Sequence, residues 1–153
     1  MTNFKVQQLD HVHVYVADRD AAAAWYKRIL GLEPVAEFAI WADDPDGPLT
    51  ISPDGGNTEL ALFQRPCAVP PAQRTTIAFR VGGAGFKEFL ARLAEYPVYD
   101  REGRQVTAQD IVDHDKSFSL YFSDPDGNPY ELTTYDYTEV KSSVLLSVLT
   151  GQN

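Results

Sequence analysis

Ser119-Leu120-Tyr121-Phe122-Ser123-Asp124-Pro125-Asp126-Gly127-Asn128-Pro129-Tyr130-Glu131-Leu132-Thr133 decides how the chain folds. Two alternating runs flank a cluster of turn formers, and Asp-Pro-Asp-Gly suits a type I turn because proline presets the backbone at its second position. The stretch predicts a hairpin. Side chains alternate across a strand, so Leu120 and Phe122 face a core while Tyr121 faces the other way; on the return strand Tyr130 and Leu132 alternate with Glu131 and Thr133. Glu131 then sits inside a sheet, on its less apolar face. A carboxylate there is costly to desolvate unless something positive compensates it or the face is wet. A metal ion is one compensator, and plain solvation is the other reading.

The bulk numbers set bounds. A chain of 153 residues fits one compact domain with its own core. No basic start with an apolar run marks a leader, and no apolar stretch is long enough to cross a bilayer, so a cytoplasmic protein with no membrane partner is expected. Cys67 is the only cysteine, which excludes an intramolecular disulfide and a cysteine zinc site. The formal net charge of -9 repels phosphate backbones and argues against nucleic acid as a partner.

Upstream, Leu9-Asp10-His11-Val12-His13-Val14-Tyr15-Val16 alternates cleanly, with Val12, Val14 and Val16 on one face and His11, His13 and Tyr15 on the other. Asp18 is a cap for a helix expected from Ala21 to Leu30, in which Trp25, Ile29 and Leu30 supply the buried stripe and Gly31 the stop. From Pro34 to Gln64 short runs and turn signals predict three strands joined by hairpins: Phe38-Ala39-Ile40-Trp41, then Leu49 to Ser52, then Thr58 to Phe63. Asp44-Pro45-Asp46-Gly47 and Asp54-Gly55-Gly56-Asn57 are the turns between them. In the last strand Leu60 and Leu62 face one way and Glu59 the other.

Arg65 to Arg74, rich in proline, reads as a linker over the surface. Beyond it the plan restarts. Thr76-Ile77-Ala78-Phe79-Arg80-Val81 alternates like the first strand, and Phe86, Phe89, Leu90 and Leu93 form a helical stripe. Strands around Pro97 to Tyr99 and at Arg104 to Thr107, with the hairpin quoted first, complete the second half. The chain thus contains two copies of a strand-helix-strand-strand-strand module, with His11 aligned to Thr76 and Glu59 to Glu131. Pairing the copies about a pseudo-twofold is expected to gather His11, Glu59, Thr76 and Glu131 on one concave surface. The tail from Thr138 to Asn153 lies outside the repeat; Val140, Val144, Leu145, Val148 and Leu149 fall on one helical face ended by Gly151, to cover core or to meet a second copy.

These residues resemble the vicinal oxygen chelate superfamily, which contains glyoxalase I, fosfomycin and bleomycin resistance proteins, and extradiol dioxygenases. The resemblance is carried by Leu9 to Val16, by Trp25-Tyr26 through Leu30-Gly31-Leu32, by Thr58-Glu59-Leu60-Ala61-Leu62, and by Tyr121-Phe122 with Asp124 to Leu132. It implies an α+β fold of two paired βαβββ modules, about residues 8–64 and 74–137, forming a cupped, incompletely closed mixed sheet. Residues 1–137 would be one domain, and residues 138–153 a C-terminal helical tail. It also implies a divalent metal (Fe, Mn, Ni, Zn or Mg), a small-molecule substrate that binds through adjacent oxygens, and a homodimer.

Carried over residue by residue, His11 matches the first metal ligand of the family, Glu59 the second in glyoxalase-type members, and Glu131 the last. The third, usually histidine, falls at Thr76. Three arrangements follow: a metal held by His11, Glu59 and Glu131 with water or His13 filling its shell; a cup that has lost its metal and only binds; or entry of His114 from its loop. His114 precedes Tyr121 much as in extradiol dioxygenase-like members, where a His and a Tyr handle protons at a ring hydroxyl. A solvated loop histidine between Asp113 and Asp115 is the alternative. In glyoxalase-type chemistry Glu59 or Glu131 would move the proton while the other ligates. Catalytic candidates are therefore Glu59, Tyr121 and His114. His13, Tyr15, Phe63, Arg80 and Tyr135 are the substrate-binding candidates, with aromatics for a flat ligand and Arg80 for an anion or an acidic neighbour. The expected activity is a glyoxalase-type lyase or isomerase, with extradiol ring cleavage as the alternative and metal-free binding of the bleomycin-resistance kind as the rival from another class.

Overall fold

The computed structural model describes residues 10–65 and 76–150, with side chains through residue 143. Cys67, most of the expected Arg65 to Arg74 linker, Gly151 and the side chains of Val144, Leu145, Val148 and Leu149 lie outside the described residues. The chain divides into two compact units, Met1–Pro70 and Pro71–Asn153.

The first unit is built on strand β1 (His11–Val16), helix α1 (Arg19–Leu30), and strands β2 (Glu33–Pro34), β3 (Leu49–Ser52) and β4 (Glu59–Gln64). They form a mixed four-stranded sheet ordered β1-β4-β3-β2, parallel only between β1 and β4. The Asp18 side chain accepts the Ala21 N–H, and Gly31 closes α1 in the left-handed region at φ 72°, where a side chain would be strained. Tyr26, fully enclosed, centres the buried face of α1, with Trp25 and Ile29 beside it; Leu30 is only half-buried, because it lies off that stripe. Val14, Val16, Ile51, Leu60 and Leu62 bring the sheet's share of the core.

One expected strand is corrected. Phe38-Ala39-Ile40-Trp41 lies in a 3₁₀ helix, Ala36–Asp43, and the missing strand is the short Glu33–Pro34. A strand would separate Phe38 from Trp41 onto opposite faces, whereas a three-residue turn eclipses them. Their rings stack at 4.5 Å and 1°. The Asp44 to Gly47 turn therefore leads from that helix into β3 instead of joining two strands, with Gly47 N–H bonded to Asp44 O at 3.0 Å.

The second unit repeats the plan with β5 (Ile77–Arg80), α2 (Gly83–Arg92), β6 (Val112–Asp113), β7 (Phe118–Ser123) and β8 (Pro129–Thr134), followed by α3 (Tyr137–Thr150). Its sheet runs β5-β8-β7-β6, again parallel only between first and last strand. Phe86, Leu120, Phe122, Tyr130 and Leu132 fill the core, and Val140 of α3 is fully buried. The expected strands at Pro97–Tyr99 and Arg104–Thr107 reduce to single bridges from Tyr99 to Gln105 and Ser123, while Val98 and Val106 are buried. Strand β6, at the far edge, occupies a stretch whose sequence has no clear alternation. No described helix is long and apolar enough to cross a membrane.

The hairpin that opened the reading is nucleated by Asp124, which is 5% exposed. Its carboxylate accepts the Asp126 N–H at 3.0 Å and the Asn128 N–H and side-chain amide at 2.8 Å each. Asp124→Ala strands these donors and is expected to lower stability by about 2–3 kcal/mol, read as a fall in urea midpoint at unchanged slope.

Candidate functional site

In the first unit, register decides which side chains meet. His11 is paired with Glu59, His13 with Ala61 and Tyr15 with Phe63, and Thr50 of β3 with Ala61, so all of these share the face opposite the valines. Asp10 Oδ2 lies 2.7 Å from His11 Nδ1. A carboxylate at that nitrogen holds a proton on it and leaves Nε2 as the basic nitrogen. His11 Nε2 lies 3.1 Å from His13 Nε2, the two rings being stacked with centroids 5.1 Å apart. Phe63 packs on His13 at 4.6 Å and on Tyr15 at 6.1 Å, and the Arg65 guanidinium lies over both aromatic rings.

Glu59 is 8% exposed, and among the described residues no ion pair or hydrogen bond to its carboxylate is found. Burial pushes its carboxyl above the ordinary range, the Asp10 charge adds to the shift, and His11 opposes it. Gly56 gives the carboxylate room. Its φ is +108°, and a Cβ there would stand 3.3 Å from Glu59 Oε1. The Thr50 hydroxyl, on the same face, is buried without a partner among the described residues.

These donors suit a divalent cation in kind: two imidazoles and a carboxylate on one face, with an orienting carboxylate behind one of them. Among the described residues, however, no group of three or more His, Cys, Asp or Glu side chains is gathered closely enough to enclose an ion.

The second unit presents a different face. Tyr121 is paired with Glu131, Ser119 with Thr133 and Ala78 with Glu131, so Ser119, Tyr121, Glu131, Thr133, Ala78 and Arg80 look the same way. Ser119 donates its hydroxyl to Glu131 Oε1 at 2.6 Å and stands 3.1 Å from Thr133 Oγ1. The Tyr121 hydroxyl lies 3.1 Å from His114 Nε2. Burial holds the Tyr121 phenol above its usual pKa, and the Glu131 charge adds to the effect. His114 is mounted on the tight loop between β6 and β7, where Asp115 takes a left-handed φ of 67° and His114 N–H bonds to Ser117 O at 2.9 Å. Arg80 lies over the Tyr135 ring at 5.0 Å, a cation–π contact at the exposed end of the face.

A hollow of about 290 Å³ opens beside Tyr121, lined by Thr76, Ser123, Pro129 and the loop at Asp100 to Glu102. The Ser123 hydroxyl is buried there without a partner among the described residues. The structure thus brings His11, His13 and Glu59 onto one face, and Tyr121, His114 and Glu131 onto another within the second unit. Sequence reasoning missed Asp10, Ser119 and Ser123. Alternation puts Ser119 and Ser123 on the Tyr121 face, but only the register of β7 against β8 makes Ser119 the partner of Glu131.

The glyoxalase/bleomycin resistance protein/dioxygenase superfamily profile matches residues 8–132, and the chain belongs to that superfamily. Among solved structures it is similar to Oxidase ChaP-H1, at 29% identity and TM-score 0.61, covering 86% of this chain and 98% of that one. Oxidase ChaP-H2 is 25% identical at TM-score 0.63, over 85% and 94% of the two chains. The genomically encoded fosfomycin resistance protein FosX from Listeria monocytogenes, 16% identical at TM-score 0.64 over 89% and 99%, shares the fold. No protein of curated function matches the sequence.

Glu59 yields a test of site electrostatics. A carboxyl whose folded pKa is raised favours folding below its ordinary pKa, and that contribution is lost as pH rises through the raised value. Glu59→Gln removes the charge at nearly constant shape. The variant is expected to exceed the parent in denaturant midpoint at pH 8 and to converge with it near pH 4; equal midpoints at both would show that Glu59 is not held in a dry environment.

Proposed function

We propose that the chain is a divalent-metal-dependent enzyme that oxidises a small phenolic molecule with dioxygen, the extradiol type within its superfamily. The observation that carries this reading is the His114–Tyr121 pair, with its 3.1 Å contact, in which Tyr121 is in register with Glu131 on the neighbouring strand. A phenol gives up a proton as it is oxidised, and an imidazole beside a tyrosine hydroxyl is a relay for it. Tyr121, its pKa raised, stays protonated at neutral pH and has a hydrogen to share with His114 Nε2. The hollow at Tyr121 and Pro129 suits a flat ring, and the Ser123 hydroxyl offers it a polar partner. Two similar solved structures are named oxidases, which supports this choice.

The metal is assigned to His11 and Glu59 of the first unit. Imidazole with carboxylate suits Fe, Mn, Ni or Zn, and Mg less well. When bound, such an ion supplies Lewis acidity toward adjacent substrate oxygens and positions for oxygen. Tyr15, Phe63 and Tyr135 are assigned to ring contacts, and Arg80 to an anionic substituent. The reading takes the protein as a homodimer, as its family resemblance implies.

A second reading, the glyoxalase-type lyase or isomerase, is favoured by Glu59. Burial raises this carboxyl above its ordinary range, which makes its carboxylate a stronger base toward a proton on carbon. Oxygen separates the two.

Tag-free protein loaded anaerobically with Fe(II) should consume oxygen with catechols. His114→Gln and Tyr121→Phe should each lower kcat about 100-fold while leaving metal content unchanged. Metal-dependent isomerisation of a carbonyl substrate without oxygen uptake would favour the second reading. Failure to take up Mn, Fe, Ni or Zn would leave the metal-free binding protein.

A further inference from the structure

We propose that Tyr137, on the first turn of α3, is a positioning residue for His114, acting through Asp113 to hold the loop between β6 and β7 where the imidazole reaches Tyr121. The inference rests on the relay role proposed above for His114, and it gives the C-terminal helix a part in that relay.

The loop is weakly held by its own strand. β6 has two exposed residues, lies at the edge of the sheet and pairs only with β7, so little packing secures it. His114 is exposed as well. One carboxylate ties this segment down in two directions. Asp113 Oδ1 accepts the Asp115 N–H at 2.8 Å, which closes the turn around His114, and Asp113 Oδ2 accepts the Tyr137 hydroxyl at 2.9 Å. The Asp115 N–H, and after it the Tyr137 hydroxyl, hold the Asp113 carboxyl below its ordinary range, so it is ionised and accepts at both oxygens.

Tyr137 is itself fixed. Its ring stacks on Phe118 with centroids 4.8 Å and planes 7° apart, and Phe118 is the register partner of Asp113. The Lys141 ammonium lies 3.1 Å from the phenol oxygen and has no lone pair to offer, so it donates there and leaves the phenol hydrogen to Asp113. Docking of the helix alone does not account for the bond to Asp113. Val140 of α3 is fully buried, the Asp136 carboxylate before the helix accepts the Gly83 N–H at 2.7 Å, and Lys87 pairs with Glu139 at 2.6 Å. Those contacts fasten α3 at α2, whereas Tyr137 reaches the edge strand that carries His114.

The test separates position from chemistry. The chain has three histidines, so the His114 ring is assigned in proton NMR by its loss in His114→Gln. Its nuclear Overhauser contact with the Tyr121 ring, assigned by Tyr121→Phe, then reports the pairing. Tyr137→Phe keeps the stacked ring and removes only the hydroxyl. It is expected to weaken that contact and to lower kcat for oxygen uptake with catechols roughly tenfold at unchanged KM. Asp113→Asn, which retains an acceptor for the Asp115 N–H and a polar group at Tyr137, should recover most of what Asp113→Ala loses. Should Tyr137→Phe fail to fold by circular dichroism, that pair decides: equal Overhauser contacts in Asp113→Ala and the parent overturn the proposal. Ser142→Ala, whose hydroxyl meets only the Thr138 carbonyl on the same helix, should match the parent. A folded Tyr137→Phe protein with the parental Overhauser contact overturns the proposal whatever its rate. A weakened contact with parental kcat, or a parent that takes up no oxygen while the contact still weakens, upholds the positioning and overturns the relay.

Discussion

In a parallel strand pair, residues in register present their side chains to the same side, and this constraint governs both units. Between β1 and β4 it turns His11, His13 and Tyr15 toward Glu59, Ala61 and Phe63, while Val14, Val16, Leu60 and Leu62 are consigned to the core. Between β5 and β8 it sets Ala78 and Arg80 beside Glu131 and Thr133. Each sheet thereby separates a greasy side that stabilises the unit from a polar side that is available for chemistry. A register slip of one residue would exchange the two, burying imidazoles and exposing leucines. The hydrophobic core is therefore what fixes the position of the functional groups.

The scaffold is repeated but its polar faces differ. The first unit carries nitrogen donors and a dry carboxylate; the second carries hydroxyls, a phenol and a carboxylate already engaged by Ser119. Under the function proposed above, holding a cation and guiding protons would fall to different faces, because the two tasks need opposite surroundings. A ligating carboxylate gains from being ionised and otherwise uncommitted. A proton relay needs partners already within hydrogen-bond reach, as His114 and Tyr121 are.

Much of the fold was legible in the sequence because its strands alternate and its turns use residues with a single strong preference. The Asp124 to Asn128 turn, the Gly31 stop and the valine face of β1 all follow from local chemistry, and the family profile and solved structures agree with the fold class. Legibility failed where a pattern had two readings. Phe38-Ala39-Ile40-Trp41 is apolar enough for a strand, and only the three-residue spacing of its two stacked aromatics marks a 3₁₀ turn. β6 has two residues and is defined wholly by its pairing with β7, which no local signal announces. For the candidate site, sequence identified faces but not partners: Glu131 was placed by alternation, whereas its bond to Ser119 depends on how two strands align.

The left-handed backbone at Asp115 carries an implication for anyone adapting this protein. A non-glycine residue is held in a conformation it disfavours, by a cost of roughly 1 kcal/mol or more, in the loop that mounts His114. Relieving that tension with a more permissive residue would make the loop easier to form and, by the same change, looser around the imidazole. Sturdiness and aim are set against each other at a single peptide, so an engineer optimising heat resistance alone would be drawn toward a loop substitution that loosens the hold on the His114 ring.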